Sequence, residues 1–189
     1  LLSNLLASGD PLDEVQREAE AAVDFAQQAH FGLVVDRVLA QLQLVRTLRG
    51  LTTRLGSLDD AGFNEAQFER HLAADARLST AVGWYWIRKL QARVLAGDYG
   101  EAMSAGVNAE RLLWTSPFFF ERTEFHFYAA LSRAGGCDAA PAAERAQHLD
   151  VLAAHHRQLE EWAAHCEDDF ADRTAFVRAD LARLQCHDA

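Results

Sequence analysis

The sequence predicts an all-α fold, with about eight helices packed as antiparallel hairpins in one array. Composition points that way first: hydrophobic residues make up 50% of the 189 residues, alanine dominates them, and proline occurs three times. Periodicity agrees, because apolar residues recur at steps of three and four and no convincing alternation with period two is found. Most specific are residues 78–117, which read as two helices meeting at Gly97 and Asp98.

In that central unit the first helix carries two apolar stripes. Gly83, Trp86, Ile87, Leu90 and Val94 form one; Leu78, Val82, Tyr85, Ala92 and Ala96 form the other. A helix touching one neighbour needs a single stripe, whereas two suit a helix sandwiched between neighbours. Gly97 accepts the left-handed geometry of a helix C-cap without steric cost, and Asp98 stands where an N-cap oxygen serves the next helix. There Ala102, Ala105 and Ala109 offer a small-residue face for close packing. Trp86, Gly97, Asp98, Tyr99, Ala102 and Ala109 fall in register with the tetratricopeptide pattern. Lys89, Leu90, Arg93 and Gly106 depart from it, and Pro117 comes late. The expected architecture is a tetratricopeptide-like array of antiparallel helical hairpins, wound as a right-handed superhelix.

The other elements follow in order. Residues 1–8 read as the stump of an upstream helix, since Leu-Leu-Ala-Ser-Gly-Asp at 5–10 echoes Leu-Ala-Gly-Asp at 95–98. All of 1–189 is then a single segment excised from a longer array. Asp10 is the expected N-cap of a helix over 11–29, with Pro11 at its first position and Asp13 and Glu14 where negative charge suits the helix dipole. Val35, Val38, Leu42 and Val45 mark a helix over 32–50. Residues 52–63 carry turn chemistry and form the longest expected loop. Asn64 and Gln67 start a short helix holding Phe68 and Leu72. After the central pair, Ser116 and Pro117 begin a helix that carries Phe118, Phe119, Phe120, Phe125, Phe127, Tyr128 and Leu131 and ends at Gly135 and Gly136. A turn over 137–141, a helix over 141–166 and a last one over 171–185 complete the chain.

Charge and composition exclude several functions. A net charge of −10 opposes general nucleic-acid binding and an anionic membrane surface. No apolar run reaches ~18 residues, so no bilayer-spanning helix is expected. Cys137, Cys166 and Cys186 are odd in number and form no CxxC pair, which favours a reducing cytoplasm over secretion. The only lysine, Lys89, follows no glycine-rich loop, so a P-loop is absent; no GxSxG, HExxH, HRD or DFG occurs either. No catalytic residue, metal ligand or cofactor-binding residue is therefore assigned.

Three constellations remain. His148, His155, His156, His165 and Cys166 share one expected helix. His148 and His155 stand roughly 10 Å apart along it and the adjacent pair diverges by about 100°, so they do not converge on one ion. The acidic residues at 59–60 and 167–169 read as solvated loop ends. The aromatic run from Trp114 to Tyr128 reads as packing between repeats or as the lining of a ligand pocket. Trp84, Tyr85, Arg88, Lys89 and Arg93 are the candidate contact residues. In arrays of this kind the first helix of each pair lines the concave surface. A cationic groove there suits an acidic peptide or an anionic small molecule, with Trp84 as a stacking platform. The structural reading of the same residues is that these cations favour the C-terminal half of their helix and pair with Asp98, Glu101 or Glu110.

The strings GDPLDEVQREAEAAVDFAQQA, FERHLAAD, WYWIRKLQARVLAGDY, LLWTSPFFF and EFHFYAALSRA resemble one family. It is the helical segment of very large bacterial signalling proteins that join a Ser/Thr protein kinase-like module, an AAA-type predicted ATPase, a GAF domain and a sensor histidine kinase. The resemblance covers nearly the whole chain, and GDPLDEV and WYWIRKLQAR are its most specific parts. It implies a tetratricopeptide-like region after the ATPase and before the GAF domain, with catalytic motifs, ATP and Mg all held by other modules of the parent. The chain is then expected to be a non-catalytic scaffold or signal-transmission segment, in contact with neighbouring domains or a protein or peptide partner. One alternative is a small-molecule sensor whose aromatic residues, Arg88 and Arg93 enclose a pocket. The other is a free-standing enzyme using the histidines.

Overall fold

The computed structural model describes residues 2–117, 120–138 and 140–186. Leu1, Phe118 and Phe119, on which parts of the reading above fall, lie outside the described residues. Among the described residues all regular structure is helical and no strand occurs. The helices are α1 (Leu2–Ser8), α2 (Leu12–Gln28), α3 (Gly32–Leu48), α4 (Glu65–Ala73), α5 (Ser79–Leu95), α6 (Tyr99–Glu110), α7 (Phe120–Cys137), α8 (Ala142–Ala163) and α9 (Glu167–Cys186). Single 3-10 turns lie at Ala76–Leu78 and Leu113–Thr115.

Short connections fold α2 onto α3, α5 onto α6, and α7 onto α8, as adjacent helices joined by a few residues must pack. Across these pairs α3 packs on α5, α5 on α7 and α7 on α9, while α6 bridges α5 and α7 and α8 bridges α7 and α9. The two stripes of α5 serve these neighbours. Ala81, Tyr85 and Ala92 enter a core with Ala40 and Leu44 of α3, Leu58 of the connecting loop, and Phe68 and Leu72 of α4. Ile87, Leu90 and Val94 enter a second core with Ala102, Ala105 and Ala109 of α6 and Phe125 and Ala129 of α7. Trp86 touches both. Each fully buried leucine or isoleucine there contributes about 1.5–3 kcal/mol. Further cores join α1 to α2 and α3, and α7 to α8 and α9.

The Gly-Asp echo is a repeated helix stop. Gly97 adopts φ +74° and Asp98 N–H reaches Arg93 O at 2.9 Å; Gly9 (φ +76°) repeats this with Asp10 N–H on Leu5 O at 3.1 Å. The two aspartates do not cap through their side chains as expected. Asp98 holds the N-cap position without a side-chain bond, since its φ −89° and ψ 67° lie off the extended conformation that aims such an oxygen. Asp10 Oδ2 accepts from Ser8 Oγ at 2.9 Å, and Pro11 takes the N-cap position of α2. Asn64, in the extended region, does cap: it accepts from Gln67 N–H at 2.9 Å.

Three boundaries differ from the sequence reading. α6 stops at Glu110, and the 3-10 turn after it leaves Trp114 73% exposed rather than packed between repeats. α9 starts at Glu167 rather than near 171, so Glu167, Asp168 and Asp169 form its first turn, where free amides and the helix dipole favour carboxylates. α7 runs through Gly135 and Gly136 to Cys137. A Cβ on Gly135 would lie 2.3 Å from a ring atom of Tyr99, so this glycine makes room for an aromatic ring instead of ending its helix. Gly135→Ala is expected to lower stability by about 1–3 kcal/mol, the usual cost of overpacking, even though alanine is the better helix former by about 1 kcal/mol. Urea unfolding measures the sign.

Candidate functional site

The candidate residues of α5 fall on two edges of the helix, about 100° apart. Trp84 and Arg88 look toward α1 and α7; Tyr85, Lys89 and Arg93 look toward α4 and the loop before it. The structure therefore divides the set.

On the first edge Arg88 is 1% exposed. Its Nη2 meets Glu121 Oε1 at 2.8 Å and its Nη1 donates to Gln91 Oε1 at 2.8 Å. Gln91 donates in turn to Glu124, which also accepts from Arg173 of α9 at 3.0 Å. From α1, Ser3 Oγ donates to Glu121 and accepts from Gln41 of α3 at 2.6 Å. One hydrogen-bonded chain thus crosses α3, α1, α7, α5 and α9. Trp84 is not an open stacking platform: Arg37 Cζ lies 3.7 Å above its ring centroid, and its Nε1 donates to Ser116 Oγ at 3.1 Å.

On the second edge Glu65, the first residue of α4, is the hub. Lys89 Nζ reaches Glu65 at 2.8 Å and Glu69 at 2.6 Å, and Arg93 Nη2 reaches Glu65 at 3.0 Å. Glu65 also accepts from Leu58 N–H at 2.6 Å and Ser57 Oγ at 3.2 Å, which pins the 52–63 loop against α5. Tyr85 donates to Glu69 at 2.7 Å. Burial alone would raise the Glu65 pKa, but the Lys89 and Leu58 hydrogen bonds and the charges of Lys89 and Arg93 outweigh it and hold the carboxyl below its ordinary value. Burial would likewise lower Lys89; its bonds to Glu65 and Glu69 raise it instead. The cations of α5 pair with Glu65, Glu69 and Glu121, not with the neighbouring Asp98, Glu101 or Glu110.

The pocket residues of the sensor alternative are also spread apart. Tyr85 is fully buried in the core between α3, α4 and α5. Phe125 lines a groove of about 320 Å³ beside Arg133 and His155. Trp84 lines a different groove, of about 460 Å³, with Phe25 and Val34.

A contact that helical spacing could not disclose joins two histidines of different helices. His126 Nδ1 and His155 Nδ1 lie 3.1 Å apart beneath Phe125 and Trp162. Burial first, then the neighbouring imidazole and Arg122, lower His126 to about 3; burial and Arg133 lower His155 to about 4. Both rings are neutral near pH 7, so one donates and the other accepts. Among the described residues no group of three or more His, Cys, Asp or Glu is placed to hold a metal ion.

Two expectations follow from these sites. Glu65→Gln leaves Arg93 and Lys89 short of a buried counter-charge and is expected to cost about 3–5 kcal/mol, with faster amide exchange across residues 52–63 as the local signature. Because the native Glu65 pKa is depressed, its contribution is complete above the ordinary glutamate value and is lost as pH falls through the lower native value. The histidine pair acts at higher pH. Its imidazoles protonate on unfolding between their ordinary value of 6.5 and their native values, so stability falls as pH is lowered across that window. The slope is at most about 1.4 kcal/mol per pH unit for each ring; His126→Phe is expected to flatten it in thermal unfolding series. Compared with known proteins, no family model, curated protein or solved structure matches the chain.

Proposed function

We propose that this chain is a non-catalytic, tetratricopeptide-like helical scaffold that passes signals by contact with neighbouring modules of a larger kinase, ATPase and sensor histidine kinase chain. What supports the reading is how its side chains divide. The charged and aromatic residues of α5 are engaged with one another's helices, while apolar side chains are left outward at the α2–α3 turn. Phe25 is 69% exposed and Phe31 58%, with Leu33 and Val34 beside them. Phe25 and Val34 border one groove there, and Phe31 and Leu33 border another of about 510 Å³. Single exposed apolar residues are ordinary, but several gathered at one end mark a contact surface.

The contact surface is therefore assigned to this end, where Trp84 borders the Phe25 and Val34 groove, rather than to Tyr85, Arg88, Lys89 and Arg93, whose polar groups are already bonded to Glu69, Glu121 and Glu65.

The test is a titration against the ATPase and GAF modules of the signalling proteins the chain resembles. Saturable binding is expected, weakened at least about tenfold, or about 1.4 kcal/mol, by the double change Phe31→Glu and Val34→Glu with the circular dichroism unaltered. Binding to no module, or binding indifferent to those changes, would sink the proposal.

A further inference from the structure

A groove of about 320 Å³ runs between α6, α7 and α8. Its walls are apolar: Met103 and Val107 of α6, Phe125 and Ala129 of α7, and Val151 of α8. Polar groups of both signs border them. Arg133 of α7 is met by His148 Nδ1, 3.2 Å from its Nη1, and by no carboxylate in ion-pair contact among the described residues. Its other N–H groups have no acceptor among those residues and are not sealed from solvent. Glu110 of α6 and Asp150 of α8 are exposed, one on each rim, and neither is ion-paired among the described residues. Glu110 acts on Arg133 only at longer range.

The fourth polar group, His155 of α8, lines the groove although it is only 8% exposed. Its Nδ1 lies 3.1 Å from His126 Nδ1. The Nε2 of His126 is sealed without a partner among the described residues, so a hydrogen held there would be a buried unmet donor. Held on Nδ1 instead, that hydrogen is donated to His155. His155 then accepts on Nδ1 and carries its own hydrogen on Nε2, which has no partner among the described residues and is not sealed. A nearly buried ring thus keeps one unused N–H donor at the groove. Arg133 is close enough for its charge to add to the effect of burial in lowering the His155 pKa.

We infer that this groove binds a free α-amino acid with an aliphatic side chain, its carboxylate on Arg133 and His155 Nε2–H and its ammonium between Glu110 and Asp150. A carboxylate alone would be opposed by Glu110 and Asp150, and an ammonium alone would leave Arg133 and His155 unmet; the zwitterion answers both. Its side chain lies against Val107, Phe125 and Val151, as an apolar site with a few converging polar groups requires. A water takes about 30 Å³ of liquid, so the groove holds about ten waters or an organic molecule of about as many non-hydrogen atoms, the size of leucine. The inference does not rest on the docking surface at α2–α3; either can fail alone.

The probe is L-leucine, titrated by calorimetry into the folded chain at neutral pH. The comparators are isocaproate, which lacks the ammonium, and isopentylamine, which lacks the carboxylate. Saturable binding at one site is expected for leucine, at least about tenfold tighter than either comparator. Arg133→Gln is expected to weaken leucine about tenfold and leave isopentylamine unchanged, whereas Asp150→Asn weakens leucine several-fold and leaves isocaproate no weaker. Ala154→Phe fills the groove from an exposed position of α8, keeps the helical circular dichroism, and is expected to abolish binding. The comparators need no variant and decide the matter even if Arg133→Gln does not fold. Absence of saturable leucine binding at roughly 10 mM, a comparator that binds as tightly as leucine, or undiminished binding in Ala154→Phe would each overturn the inference.

Discussion

Helix α5 has no wet side on which to keep its charges, and this constraint organises the structure. Arg88 and Arg93 are buried and Lys89 nearly so. Removing a cation from water costs several kcal/mol unless an acceptor replaces the lost solvent. Two of the helices beside α5 deliver these carboxylates: Glu121 comes from α7, and Glu65 and Glu69 from α4. Apolar stripes alone would let these helices slide along one another. Ion pairs at 2.6–3.0 Å do not.

The same pairs tie together parts of the chain that are far apart in sequence. Glu65 holds the loop carrying Leu58, which has no helix of its own yet is fully buried. Ser3 and Glu121 are bonded across 118 positions. In a solenoid whose repeats touch only their neighbours, stability is close to a sum of local terms. Here the hydrogen-bonded chain from Gln41 to Arg173 couples α1, α3, α5, α7 and α9 directly. Such coupling between helices far apart in sequence suits the proposed relay of a contact from one end to another.

The perturbed histidines, His126 and His155, are perturbed by burial against Phe125 and Trp162 and hydrogen-bond each other. That is the environment of a packed polar pair rather than of an exposed general base.

Helical content, the two buried stripes of α5, the alanine face of α6 and the left-handed stop at Gly97 were all legible in the amino-acid order. Each depends on spacing within one helix or on one residue's backbone preference, and both are local properties. Gly135 was misread because its purpose is the ring of Tyr99 on another helix. The partners of Arg93, Arg88 and His126 stand 28, 33 and 29 positions away, where helical periodicity carries no information. Trp84 was readable as an aromatic surface but not as one already stacked by Arg37. The sequence by itself determined which segments are helices and which of their sides avoid water. Only the tertiary structure decided which charges face each other and which candidate contacts are already used, because those depend on how helices distant in the chain are set side by side.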